Sequence, residues 1–261
     1  MSAEISPADR PAAFVLRMDG RDQSHVDLAD PARLEFDYVR RIGDVLDAWH
    51  SPGEPMRALH IGGAAMTLPR YVAHTRPRSA QVVLEPAAAV TELVRRELPL
   101  PRHTGIKVRP VDGRTGLGSF RESALDLVVV DAFTGGRVPG ELVTAECAAA
   151  YARVLADDGL LLLNLVDAAP FAWTRRVVAA VRTALPELLL SAEPPTLRGR
   201  RPGNLLLVAG PAELPVAALR ARAASSPAPY RVLDAAQVSD TVGGGRPFTD
   251  DDTTPSPEAL S

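Results

Sequence analysis

Short segments that are apolar throughout alternate with amphipathic segments along most of this chain. The apolar segments include AQVVLE at 80–85, LDLVVVD at 125–131 and GLLLLNL at 159–165. Strands that are apolar on both faces are typical of parallel sheets, in which helices cover both sides. The segments between them repeat apolar residues with the period of an α-helix. The alternation therefore predicts an α/β domain built on a mostly parallel sheet.

The same patterns give the positions of the elements. Strands are predicted at 56–61, 80–85, 106–111, 125–131, 159–165, 187–192 and 204–209, and helices at 34–49, 67–74, 86–98, 141–155 and 171–185. The last two strands are joined by the polar loop TLRGRRPGN, which favours an antiparallel hairpin at one edge of the sheet. Two further short strands are predicted within residues 12–30, around the turn Asp19-Gly20, because Asp-Gly is a strong hairpin sequence.

These elements divide the chain into three parts. Residues 1–33 form an N-terminal extension with the β-hairpin, and residues 34–242 form the α/β domain. Residues 243–261 are rich in Gly, Asp, Thr, Ser and Pro. Such a composition offers little apolar surface to offset the entropy of ordering, so the tail is predicted to be disordered and dispensable.

Composition excludes several functional classes. The net charge of −3 and the pI near 6.0 give no basis for binding nucleic acid or an acidic membrane. Cys147 is the only cysteine, which rules out an intrachain disulfide, and its apolar surroundings favour a buried structural thiol over a nucleophile. The apolar runs are too short to span a membrane, and the N-terminal residues lack the apolar core of a signal peptide. We therefore expect a cytoplasmic protein.

Two glycines follow the first strand of the predicted sheet. Gly62 and Gly63 lie in the sequence LHIGGAA, and glycines at a strand–helix turn let the backbone turn sharply and approach a ligand. A tight turn without a ligand also favours glycine, so this alternative stays open. The turn has two glycines where a dinucleotide fingerprint has three, which makes a hydride-transfer enzyme the weaker hypothesis.

An acidic residue ends the second strand. Glu85 lies 22 residues after Gly63. A carboxylate near this spacing can accept hydrogen bonds from both ribose hydroxyls of a nucleotide or nucleoside. The alternative is a solvated carboxylate stabilised by the dipole of the following helix.

Two more aspartates end the third and fourth strands. Asp112, followed by Gly113, is placed to accept a hydrogen bond from an adenine amino group, although it is also a good N-cap residue. Asp131 ends the strand LDLVVVD, where a carboxylate can orient or deprotonate an amine nucleophile; its alternative is a helix cap. Since all these features follow successive parallel strands, we expect them at one edge of the sheet, around an adenosine-containing ligand.

At these residues the chain resembles the spermidine synthase family, and within it the shorter, divergent bacterial members. The resemblance extends from about residue 15 to residue 165 and includes the following stretches: Met18-Asp19-Gly20, Gln23-Ser24, 34–38, His60-Ile61-Gly62-Gly63, 67–70, 83–86, 111–113, Val130-Asp131-Ala132-Phe133, 138–144 and 159–164. It implies a Rossmann-like fold of the S-adenosylmethionine-dependent methyltransferase type for residues 34–242, which would then be a nucleoside-binding domain.

The resemblance also implies roles. The co-substrate would be S-adenosylmethionine or its decarboxylated form, with no metal. Glu85 would bind the ribose, Asp112 would lie near the adenine and Gln23 near the donor, while Asp131 matches the strand-end aspartate associated with aminopropyl transfer. By the same analogy the N-terminal hairpin is expected to form a homodimer contact, and the acceptor is expected to be a small molecule such as a polyamine.

The chain departs from the family pattern at two places. Ala64-Ala65 stand where the family carries an Asp that holds the donor's amine, and Thr134-Gly135 stand where a second acceptor-side acid is expected. A dicationic amine needs several carboxylates to offset its lost hydration. Asp27 or Asp37 could fold back and substitute for them. The sequence thus supports two hypotheses: a transferase of aminopropyl or methyl groups, and a catalytically silent adenosine-binding or interaction domain that keeps the fold.

Overall fold

A small antiparallel sheet begins the chain in the computed structural model, which describes residues 2–258. It contains β1 (Ala3–Pro7), β2 (Ala13–Met18) and β3 (Arg21–Asp27) in the order β1-β2-β3. The predicted hairpin around Asp19-Gly20 is present as β2 and β3, with both turn residues at positive φ. The sequence did not predict β1, a five-residue strand paired with the edge of that hairpin.

The rest of the chain forms an α/β domain. Its elements are α1 (Asp37–Trp49), β4 (Arg57–Ile61), α2 (Thr67–Thr75), β5 (Ala80–Leu84), α3 (Ala88–Glu97), β6 (Ile106–Arg109), α4 (Gly113–Leu117), β7 (Leu125–Val130), a 3₁₀ turn (Gly140–Leu142), α5 (Ala145–Val154), β8 (Leu155–Asp167), α6 (Ala172–Arg182), β9 (Glu187–Ala192), α7 (Pro194–Leu197), β10 (Gly203–Gly210), α8 (Val216–Ser225), β11 (Arg231–Leu233) and α9 (Ala235–Val242). Eight strands form one sheet in the order β11-β9-β10-β8-β7-β4-β5-β6.

The sheet has the predicted architecture. The strands β4 to β8 pair in parallel, and β10 lies antiparallel between β8 and β9. Helices bury both faces, with one large apolar cluster on each side and a third beneath the N-terminal sheet. The predicted α/β fold, with its mostly parallel sheet and its antiparallel hairpin β9–β10, is confirmed.

The region after β10 contains elements that the sequence patterns did not reveal. The short strand β11 pairs with β9 and occupies the outer edge, beyond the predicted hairpin. It has only three residues, and most of the apolar residues of α8 are alanines, so neither element has a strong periodic pattern. Within the described residues, no helix is both long and apolar enough to cross a membrane.

The C-terminal tail contradicts the expectation of disorder for residues 243–258. Phe248 is 1% exposed and belongs to the main apolar cluster, and Ser256 is fully buried. The Nε1 of Trp173 donates a hydrogen bond of 2.9 Å to the carbonyl of Thr254. The composition of the tail conceals this arrangement, because one large apolar residue and a set of paired polar groups are enough to dock it. The predicted tail also includes residues 259–261, which lie outside the described part of the chain.

The single cysteine has the structural role that the sequence indicated. Cys147 lies on α5 with no exposed surface, among the apolar residues of the main cluster. Burial raises the pKa of its thiol. The thiolate, which is the reactive form, is therefore disfavoured.

Candidate functional site

A cavity opens at the carboxyl edge of the parallel strands, and every residue predicted for the site lines it. These residues are Gln23, Gly62, Gly63, Glu85, Asp112, Gly113 and Asp131. Gln23 comes from the N-terminal sheet, which lies over this edge, and the others follow β4, β5, β6 and β7. The residues that follow successive parallel strands therefore lie together around one cavity, as the sequence predicted.

The glycine turn after β4 is held in close contact with its neighbours. Gly62 has φ +92°, and a Cβ there would come within 2.2 Å of the carbonyl oxygen of Asp131. A Cβ on Gly63 would lie 2.7 Å from Val83 Cγ1. Packing against the protein thus explains both glycines, so their identity alone does not indicate a ligand.

Glu85 supports this turn from the end of β5. One oxygen, Oε2, accepts hydrogen bonds from the backbone N–H groups of Gly63 (3.0 Å) and Ala64 (3.2 Å), and Oε1 accepts from Ala87 N–H at 3.0 Å. Each carboxylate oxygen has two lone pairs, so Oε1 keeps capacity for a further donor. Glu85 is half-buried in the cavity wall, where it can hold the turn and accept from a ligand.

Asp112 has the N-cap role that the sequence offered as an alternative, and it also lines the cavity. Its side chain accepts a hydrogen bond of 2.8 Å from Thr115 N–H and so caps the N-terminus of α4. This hydrogen bond holds the pKa of Asp112 below its ordinary value. The residue is exposed and lines the cavity. The adjacent Gly113 packs against β4, since a Cβ there would lie 2.3 Å from Ile61 Cγ2.

Asp131 lies at the centre of a polar network at the end of β7. Its Oδ1 accepts a hydrogen bond of 2.8 Å from Asn164 Nδ2, and Asn164 Oδ1 accepts one of 3.0 Å from Asn204 Nδ2. Burial raises the pKa of Asp131 to about 6, although hydrogen bonds from Asn164 and Tyr38 lower it. A carboxylate with a pKa close to neutral suits the transfer of a proton.

Sequence reasoning missed three members of this network. Tyr38 lies in the predicted helix 34–49 and was not predicted for the site, but it lines the cavity, and its pKa is raised well above its usual value by burial and by the nearby Asp131. Asn164 was visible as the one polar residue in the run LLLLNLV of β8. Asn204 could not be recognised, since only the reversed direction of β10 brings its first residues to this edge.

A second cavity adjoins the first. The two share Gln23, Tyr38 and Phe133, and Asn164 and Asn204 line the second. The N-terminal sheet forms part of its wall and contributes both positively and negatively charged side chains. Arg17 pairs with Asp22 at 2.6 Å, Arg21 pairs with Glu258, and Glu4 is exposed. Near Asp131, the second cavity is lined by the amide side chains of Asn164 and Asn204.

The structure also clarifies the departures from the family pattern. Ala65 is fully buried in the apolar cluster beneath the N-terminal sheet, so a carboxylate at this position would enter an apolar environment. Thr134 lines the first cavity at the place of the expected second acid.

The two proposed substitutes are engaged elsewhere. Asp27 is buried and accepts hydrogen bonds from Ala29 and Asp30 N–H, and Asp37 pairs with Arg40 at 3.3 Å. Among the described residues, the additional carboxylates in the wall of the first cavity are instead Glu35 and Glu141.

Comparison with known proteins gives the context of this site. No family model matches the chain, and no curated protein is significantly similar to it. A solved structure described as a "probable spermidine synthase" from Corynebacterium glutamicum ATCC 13032 is 27% identical, with a TM-score of 0.89 over 95% of this chain and 92% of that one.

Two further structures share the fold at lower identity. Human methyltransferase-like protein 13, solved with SAH, is 19% identical, with a TM-score of 0.56 over 67% of this chain and 82% of that one. A spermidine synthase in complex with the transition state analogue AdoDATO is 15% identical, with a TM-score of 0.58 over 91% of this chain and 75% of that one.

The fold and the carboxyl-edge cavity place the chain among the Rossmann-like α/β proteins with the class I methyltransferase fold. Within that class the chain is similar to structures described as spermidine synthases.

Proposed function

We propose that this protein binds S-adenosylmethionine or its decarboxylated form and transfers an aminopropyl or methyl group to a small acceptor. The observation that carries the proposal is that the seven predicted residues all line the first cavity, at the carboxyl edge of a fold similar to that of a probable spermidine synthase. Among the described residues, the wall of this cavity includes five carboxylates, at Glu35, Glu85, Asp112, Asp131 and Glu141, and one guanidinium, that of Arg114. Such an excess of negative charge favours a cationic ligand.

Each residue has a role that its surroundings allow. Glu85 accepts hydrogen bonds from the ribose hydroxyls through the capacity left on its carboxylate, and Asp112 accepts one from the adenine amino group. Gln23 contacts the donor from the N-terminal sheet. A sulfonium supplies an alkyl group that is already activated, so catalysis rests mainly on holding the acceptor in line.

Asp131 orients the acceptor and takes its proton. With its pKa near 6, the carboxylate is mostly ionised at neutral pH and still close enough to neutrality to accept a proton in the transition state. The Asn204–Asn164 pair holds Oδ1, and this fixes the direction in which the carboxylate points.

Calorimetry tests the donor. The protein would be titrated with methylthioadenosine, S-adenosylmethionine and decarboxylated S-adenosylmethionine, with NAD as the control nucleotide. We expect saturable binding of at least one of the three adenosyl compounds. If none of them binds to a protein that melts cooperatively, the proposal is wrong.

The silent adenosine-binding or interaction domain remains the second candidate, because Ala65 and Thr134 occupy the places of two functional acids. Incubation with each sulfonium donor and a panel of small amines, followed by mass spectrometry, separates the two. A transferase yields an acceptor heavier by an aminopropyl or methyl group, whereas a silent domain binds the donor and yields neither product. The homodimer through the N-terminal hairpin, the cytoplasmic location and the absence of nucleic-acid and membrane partners remain predictions.

A further inference from the structure

The C-terminal strap, residues 243–258, packs along the loop that forms part of the wall of the candidate site. This cavity loop, residues 132–142, follows Asp131 and contributes Ala132, Phe133, Thr134, Pro139, Glu141 and Leu142 to the first cavity. Its internal hydrogen bonds are few: Thr134 pairs with Arg137 across a turn, and the 3₁₀ turn ends the loop. The position of the loop therefore depends on what packs against it.

Strap residues hold the middle of the cavity loop through its backbone. Ser256 N–H donates to the carbonyl of Val138 at 3.0 Å, and Val138 N–H donates to Ser256 Oγ at 2.9 Å. Both residues are buried. Further along, Thr253 Oγ1 donates to the carbonyl of Gly140 at 2.9 Å, and a Cβ on Gly140 would lie 2.8 Å from the backbone of Thr254. This contact is close enough to require glycine at position 140.

The strap is in turn anchored to the body of the domain. Phe248 packs in the main core, its ring 6.0 Å from that of Trp173 and 4.0 Å from the guanidinium carbon of Arg176. Its carbonyl accepts a hydrogen bond of 2.9 Å from Ala145 N–H at the start of α5. Buried aromatic anchoring of this kind gives the strap a fixed position from which to hold the loop.

A second contact of the strap reaches another part of the cavity wall. Asp250 pairs with Arg114 at 2.6 Å and accepts a hydrogen bond of 2.7 Å from Thr144 Oγ1. Arg114 lies beside Asp112 and Gly113 in the cavity lining. At its far end the strap places Glu258 between Arg21 of the N-terminal sheet and Arg137 of the cavity loop. The strap thus joins three separate parts of the cavity wall.

We propose that the C-terminal strap is a positioning element of the site, and that Ser256 fixes the cavity loop in the conformation that binds the adenosyl ligand. This inference rests on the proposed function, because the adenosyl ligand is the one that the loop would contact. Ser256 acts through Val138 and is a positioning residue. Without its hydroxyl, the buried N–H of Val138 loses its partner, and the loop samples open conformations.

The test uses Ser256→Ala in the full chain, with Asp251→Ala as the matched control. Asp251 is an exposed residue of the same strap. Amide hydrogen exchange is measured over residues 132–142 without ligand, and affinity for methylthioadenosine is measured by calorimetry. For Ser256→Ala we expect both faster exchange and affinity lower by at least about fivefold. The control leaves both unchanged.

Two results overturn the inference. Unchanged exchange in Ser256→Ala shows that the strap does not hold the loop. Faster exchange with unchanged affinity shows that the loop does not shape the binding site. A chain ending at residue 242 should show larger effects of both kinds, and Ser256→Ala decides the matter if that shorter chain fails to fold. If the wild-type protein binds no adenosyl compound, the proposed function is refuted separately. The exchange measurement then still tests whether the strap restrains the cavity loop.

Discussion

The two sides of the candidate site are built from different chemical groups. On the donor side, Glu85 and Asp112 are carboxylates at strand ends, and each is tied to backbone N–H groups of the turn or helix beside it. On the acceptor side, Asp131 is surrounded by Asn164, Asn204 and Tyr38. Under the proposed function, the donor side therefore offers strand-end carboxylates suited to a nucleoside, whereas the acceptor side offers few of the carboxylates that a polyamine requires.

The sharpest test of this contrast is Asp131→Asn. The amide keeps the shape of the carboxylate but cannot take the acceptor's proton, so the rate of transfer should fall about 10²- to 10⁴-fold. Affinity for methylthioadenosine should stay within about twofold, because the donor side is untouched. Steady-state kinetics with the acceptor found by mass spectrometry, together with calorimetry, measure both quantities. Asp157→Asn, an exposed substitution of the same type, is the control.

If Asp131→Asn lowered the affinity for methylthioadenosine and the rate of transfer equally, the two sides would act as one functional unit. A rate within about threefold of the wild type would remove Asp131 from the chemistry altogether, since loss of a general base costs far more.

Putrescine should be a poor acceptor or none. Each missing charge-assisted contact costs about 1.5–3 kcal/mol, or roughly one to two powers of ten in rate. Spermidine formation should therefore lie well below about 1 per second, the lower end of ordinary enzyme turnover. Butylamine, which lacks the second ammonium group, is the matched comparison and should do no worse than putrescine. A preference for putrescine of tenfold or more would show that carboxylates such as Glu35 or Glu141 serve the acceptor after all.

On the donor side, Glu85→Ala should weaken binding of every adenosyl compound by roughly ten- to a hundredfold, as expected for the loss of one charge-assisted hydrogen bond or more. Because Glu85 also holds the N–H groups of Gly63 and Ala64, the melting temperature has to be measured alongside the affinity. Glu92→Ala on the exposed face of α3 is the control. An affinity change below about threefold would contradict the assignment of Glu85 to the ribose.

The smallest effect concerns stability and its dependence on pH. The pKa of Asp131 is raised from 3.8 to about 6 in the folded protein, so its ionised form costs about 3 kcal/mol of stability once the pH exceeds 6. Asp131→Asn removes this cost and should raise the free energy of unfolding at pH 8 by about 1–3 kcal/mol. The gain should shrink as the pH falls through 6 and vanish only below about pH 3, under the unfolded-state pKa of 3.8, where the carboxyl is protonated in both the folded and the unfolded state. Chemical denaturation at several pH values measures it, and a variant less stable than the wild type at pH 8 would contradict the raised pKa.

The sequence was sufficient for the parallel part of the fold and for the strand-end residues. An uninterrupted apolar run such as LDLVVVD indicates a strand that is buried on both faces. A residue at the end of a parallel strand is expected at the carboxyl edge of the sheet. The same reasoning failed for the strap, since Phe248 and Ser256 are ordered by partners more than 70 residues away. Tyr38 was missed for a related reason: helical periodicity indicates which face of a helix is buried, but not that the buried face borders a cavity.

The antiparallel direction of β10 has a consequence for how this fold can change. A parallel strand places its last residues at the functional edge, whereas β10 places its first residues there, so Asn204 is the second residue after the loop 198–202. Loops are the parts of a protein that best tolerate insertion and replacement. Replacing this loop would change the chain segment that leads into Asn204, while Glu85 and the glycine turn, on the other half of the sheet, keep their own partners. Under the proposed function, the reversed strand thus offers directed evolution a position near the acceptor side that can be varied separately from the donor side.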